Sequence, residues 1–255
     1  MAKFGVKEVM DVTFYDTATG KPVLFCDTLK MTNLENTAEE TSARGGKGNA
    51  KLLSWDFNRE ATMAIQDALL PPRSFELLSG NKVTKGTAKI HMRQSTVWEN
   101  GVNKGQLFPL TASATGEIQL AFTPNETASN ILVYLAEDDG GTPLTGATLN
   151  NTTLTVTSAA NKKVVVYYTY NVDSAETYLI TSDAFPSTYK IVGDTVIRNA
   201  ETGKDEAFQI VINKAKVKPG FSLQFQADGD PSVFDMNIEI LRESDNTKMI
   251  TMIQY

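Results

Sequence analysis

The stretch SVFDMNIEIL, residues 232–241, decides the fold class. Phe234, Met236, Ile238 and Ile240 alternate with Asp235, Asn237 and Glu239. Successive side chains of an extended chain point to opposite faces, so a period of two makes one face apolar and the other wet. GEIQLAFT (116–123) repeats the pattern with Ile118, Leu120 and Phe122, and AFQIVINKAKV (207–217) and TKMITMIQY (247–255) follow it less regularly. Turn signals separate these runs: TATGKP around Gly20, AETGKD around Gly203 and ESDNTK around Asn246. Gly, Asn and Asp suit the backbone angles that hairpins need. Hairpins imply antiparallel pairing, so a sandwich or barrel is expected rather than a parallel α/β sheet.

One helix interrupts the strands. In LLPPRSFELLSG (69–80) the prolines at 71 and 72 suit a first turn and Gly80 suits a stop. Phe75 and Leu78 share a face, and a helix of about two turns needs a sheet beneath it. The expected class is mainly β with one short flanking helix: two packed antiparallel sheets forming a sandwich or barrel, with a β-rich insertion. The insertion is placed at residues 107–181, where the chain is rich in Thr, Asn and Gly and poor in basic residues to about 160. Residues 1–106 and 182–255 then form one discontinuous domain.

Composition narrows the function. The chain has 255 residues, 41% of them hydrophobic, which is enough to build a core. A formal net charge of -6 argues against gripping nucleic acid by neutralising phosphates, though nucleic acid could slide past such a surface. The single cysteine, Cys26, rules out an intrachain disulfide, and in VLFCDTL it reads as a small hydrophobe. The start, MAKFGVKEVMDVTFYD, lacks the apolar region of a signal peptide, so the sequons at Asn125, Asn150 and Asn151 are not expected to be used. No apolar run approaches the ~20 residues that span a bilayer, so no membrane insertion is expected.

Chemistry is sparse. His91 is the only histidine, no GxSxG elbow is present, and ligands of the His/Cys kind are too few for a metal centre. The acidic stretches EDDGG (137–141) and DGD (228–230) read as turns, not calcium loops. Trp55 and Trp98 read as packing residues. No catalytic, cofactor-binding or metal site is expected, and no enzymatic activity.

The remaining feature is TSARGGKGNAKLLSWDFNRE (41–60), with Arg44, Gly45, Gly46, Lys47 and Gly48 crowded together. A P-loop would need Ser or Thr after Gly-Lys, a strand before and a helix after. Gly48 follows Lys47, and AKLLSWDF resembles a strand. A solvated loop or an assembly contact remain as readings.

Residues 13–80, from TFYDTATGKPVLFC to FELLSG, resemble the major tail tube proteins of tailed bacteriophages, and KDEAFQIVINKAKVKPGFSLQFQADGDPSVFDMNIEILRE (204–243) resembles that family's closing strands. The resemblance covers both ends of the chain and not the middle. It implies two packed antiparallel sheets with a helix at the side, hexameric rings stacked into a tube, and a virion protein assembled in the host cytoplasm. It also implies as partners other copies of the chain, a tape measure protein and, in a contractile tail, a sheath protein, with DNA passing through the lumen unbound. The loop after the second strand, about Asn33 to Ala50, would reach a neighbouring subunit through Arg44, Gly45, Gly46, Lys47 and Gly48. A head decoration, connector or baseplate protein, a surface-binding β module and a hydrolase with an unrecognised site stay open as alternatives.

Overall fold

The computed structural model describes residues 3–69, 71–228 and 233–255. Contacts divide the chain into two compact units, Met1–Val83 with Tyr178–Tyr255, and Thr84–Thr177. The first unit opens with β1 (Phe4–Val6), β2 (Asp11–Asp16), β3 (Pro22–Cys26), β4 (Leu29–Gly45), β5 (Ala50–Asp67) and the helix α1 (Pro72–Ser79). The second holds β6 (Thr84–Gln94), β7 (Trp98–Glu99), β8 (Val102–Asn103), β9 (Glu117–Gln119), β10 (Leu132–Leu135), β11 (Thr148–Asn150), β12 (Thr153–Thr155) and β13 (Val164–Thr177). The chain then returns to the first unit with β14 (Thr188–Asn199), β15 (Asp205–Val217), β16 (Phe234–Ile240) and β17 (Ile250–Gln254). The protein is mainly β, with antiparallel sheets and one short α-helix among the described residues.

The first unit is one nine-stranded sheet in the order β3-β2-β14-β15-β16-β5-β4, with β1 added beside β14 and β17 beside β15. β15 is its pivot. One of its edges pairs with β14, while the other is shared between β17 at Phe208–Ile212 and β16 at Ala215–Val217. Phe14 and Leu24 from one wing join Met63, Ile65 and Met236 from the other in one buried cluster. The sheet therefore curls around its own apolar face, and its two wings supply the two packed layers. Each large side chain buried this way contributes about 1.5–3 kcal/mol.

The period of two at residues 234–240 is realised in full. Phe234, Met236, Ile238 and Ile240 are buried, and the residues between them are exposed. In α1, Leu77 and Leu78 enter the core, and Phe75, half-buried, touches the rings of Tyr178, Phe221 and Phe234. Gly80 ends the helix at φ 73°, its N–H donating to the Glu76 carbonyl at 3.0 Å. A Cβ there would lie 2.4 Å from the Phe185 carbonyl oxygen, so only glycine fits. Cys26 is buried, and burial, aided by the charges of Asp67 and Asp27, pushes its thiol up to about 12.

The second unit has its own core. Two three-stranded sheets, β10-β13-β6 and β11-β12-β9, share a cluster that includes Ile118, Val133, Leu154, Val164 and Val166. The buried Gln94 amide ties β6 to the other sheet. Its Nε2 donates to the carbonyls of Thr96 and Gln119, and its Oε1 accepts from the Ala121 N–H and the Tyr168 hydroxyl. All four hydrogen-bonding positions of the amide are used, as a buried polar group requires. Trp98 packs edge-on against Phe122, which stacks on Tyr170.

The compositional limits of the insertion, 107 and 181, differ from the contact limits, 84 and 177. The reason is strand pairing. β6 lies before residue 107, yet its partner is β13, with Thr84 opposite Thr177 and Gln94 opposite Val166. A cut at 107 would leave β6 without its partner. The Thr84–Thr177 pair also places the two ends of the unit within about 5.5 Å of each other, as facing Cα atoms of an antiparallel ladder are. Replacing residues 84–177 by a four-residue Gly/Ser linker should leave a first unit that still melts in one cooperative transition, followed by far-UV circular dichroism. Loss of all folded signal would mean that the first unit depends on the second.

Candidate assembly arm

β4 and β5 pair along almost their whole lengths, from Leu29 opposite Asp67 to Gly45 opposite Ala50. The segment expected as a loop from Asn33 to Ala50 is therefore mostly strand, and the correction has a local cause. ENTAEETSA is polar on both faces because this part of β4 is exposed, and its extended form comes from the ladder with β5, not from burial. β16 covers β5 only from Ala61 to Asp67. Beyond Ala61, among the described residues, β5 has β4 as its sole partner, so Ala50–Glu60 and the facing part of β4 form a free two-stranded ribbon. At 3.3 Å per residue this arm is about 35 Å long.

A bulge marks its root. Thr37 faces Glu60 and Glu39 faces Phe57, so β5 carries an extra residue there, with Asn58 at φ 47°. Asn58 Nδ2 donates to Glu39 Oε2 at 3.2 Å. Such bulges increase twist and re-aim a strand. At the far end the five residues singled out in the sequence come together: Arg44 and Gly45 close β4, and Gly46, Lys47 and Gly48 form the turn. Gly46 and Gly48 have φ of 76° and 84°, and Asn49 has 49°, with its N–H donating to the Gly46 carbonyl at 3.2 Å. Three left-handed positions within the turn, at 46, 48 and 49, explain the two glycines and the asparagine of GKGN. Nearby Lys51 pairs with Glu40 across the ribbon.

Sequence reasoning missed the apolar stripe on this arm. Leu53, Trp55 and Phe57 alternate with Ser54 and Asp56 and so share one face, and they are 61%, 54% and 43% exposed. Ala43, Thr41 and Glu39 stand opposite them on β4. Trp55, expected to pack, is thus presented to solvent. The signal was available as the same period of two that identified β16. A two-stranded ribbon is marginal alone. This one also carries unpaired backbone groups along both edges and large apolar side chains that would each gain about 1.5–3 kcal/mol on burial.

His91 is exposed on β6. In the EDDGG turn, hydrogen bonds from Arg93 hold the Asp139 carboxyl below the usual range, and the Tyr167 hydroxyl adds a third at 2.9 Å. The DGD stretch lies outside the described residues at Gly229 and Asp230. No group of metal-ligating side chains occurs among the described residues, and no described helix is long and apolar enough to cross a membrane.

A family model described as the YomU/Tube protein family matches residues 4–255, both units included. No curated protein matches the chain.

The arm and the core divide a single strand, and mutation should read the division. Trp55→Ser with Phe57→Ser should leave the melting of the monomer within about 0.5 kcal/mol of the parent, as exposed substitutions do. Met63→Ala, six residues from Phe57 but buried, should cost about 2–5 kcal/mol. Equal losses in denaturant melts would place the arm inside the monomer's cooperative core.

Proposed function

The chain belongs to the YomU/Tube protein family, and from that premise we propose that it builds the tube of a phage tail by self-association through the β4–β5 arm. The family is one of phage tube-type structural proteins, and the chain is a virion component of that kind. In the proposed assembly, copies join into hexameric rings, the rings stack, and the lumen conducts DNA. The observation that carries this reading is the arm itself: a ribbon with free edges and an exposed apolar face, attached to a core that does not use it. Nothing in its own unit covers that face, and another copy of the chain would. Arg44 and Lys47 at its tip are suited to acidic surface on a neighbouring copy, of which a chain with net charge -6 has an excess. The same charge favours a lumen that repels DNA mildly and lets it slide. The tape measure protein inside the tube and, in a contractile tail, a sheath outside it are the further partners that this reading proposes.

Negative-stain microscopy of the concentrated protein tests the reading, with tubes bearing a central channel expected. Arg44→Glu combined with Lys47→Glu should leave the monomer's melting unchanged and reduce tube yield severalfold at matched concentration. Normal tubes from the folded double variant would remove the tip from the interface, and the absence of tubes from the parent protein would contradict the reading as a whole.

A further inference from the structure

Resting on the tube reading above, we propose that the open apolar end of the first unit's core is the seat for the arm of a second copy of this chain. The core of that unit does not close at every side. Val9, Leu34 and Phe208 pack against its buried cluster. Beyond them Phe4, Met31 and Met252 stand exposed around a groove of about 540 Å³. The Phe4 ring lies 6.4 Å from that of Phe208, so the apolar surface is continuous from the core to the rim. Lys7, Lys30 and Glu8 also line the groove. A contiguous apolar patch with a charged border marks an interaction surface.

The arm has the complementary chemistry. Leu53, Trp55 and Phe57 stand about 7 Å apart along one face, an apolar row of about 14 Å. Glu39 stands opposite Phe57 on the same face as the row, an acidic neighbour suited to Lys7 and Lys30 at the groove. A copy's own stripe does not reach its own groove. Leu34 lines the groove, and even Phe57, the stripe residue nearest to it, sits opposite Glu39, five residues of strand or about 16 Å further along. The seat must therefore be filled from another copy. Among the described residues the arm and the groove are different surfaces, so the contact is head-to-tail, the kind that forms a ring when the rotation between successive copies closes.

Site-directed cross-linking tests this. In a Cys26→Ala background, a Thr41→Cys protein is mixed with a Lys7→Cys protein, assembled, and treated with a short bis-maleimide. Thr41 shares the arm face of Trp55 without belonging to the apolar row, so the row stays intact. Covalent dimers joining positions 41 and 7 are expected, identified by peptide mass, and Lys162→Cys in place of Lys7→Cys should give none. Met252→Glu in the groove-bearing copy should lower the cross-linked fraction about tenfold without shifting its melting. Tubes that form with no 41-to-7 link would overturn the inference and leave the tube reading standing. Links that form without tubes would support the arm–groove contact and contradict the tube reading. Neither tubes nor links would overturn both.

Discussion

β5 has 18 residues and β16 has seven, and the architecture of the first unit turns on that mismatch. Where β16 is present, β5 is an interior strand: Ala61, Met63 and Ile65 are buried and the ladder is complete on both sides. Where β16 stops, the same strand continues with one neighbour and no core beneath it. The hydrogen bonds to β4 keep it extended, but nothing within its unit covers its apolar face. Backbone groups at open edges and exposed Leu, Trp and Phe side chains are what soluble monomers avoid. Their concentration on a single projecting ribbon is the physical ground for reading this chain as one subunit of an assembly.

Much of the core was legible in the sequence because burial leaves a pattern. Phe234 to Ile240 alternates without error, and Pro72 with Gly80 brackets the helix to the residue. Gly20 and Gly203 both sit in left-handed turns between strands, as TATGKP and AETGKD suggested. Trp98 packs among Phe122 and Tyr170, as a lone aromatic usually does. Signals of this kind survive because core packing dictates which residue type can occupy each position.

The arm was only half legible, for the complementary reason. Glycines at 45, 46 and 48 announced a turn, and Arg44 and Lys47 announced charge at it. The polar run ENTAEETSA carried no burial signal because that part of β4 is never buried within the chain, so a strand there looks like a loop. Trp55 was misjudged because the ribbon that carries it runs past the end of β16, where its unit has no core to pack it against. The extent of the second unit was obscured differently: TKGTAKIHMRQ has no unusual composition, and only its pairing with β13 assigns it to that unit.

Shortening the arm is the most direct test of the central claim. Joining Thr37 to Glu60, which face each other across the ladder, through an Asn-Gly turn removes the ribbon while keeping every strand that contacts the core. Sedimentation velocity combined with negative-stain microscopy would then compare this variant with the full chain at equal concentration. The account predicts a folded protein with the parent's melting temperature that stays monomeric where the full chain forms tubes. Tubes of normal yield and diameter from the shortened chain would contradict it.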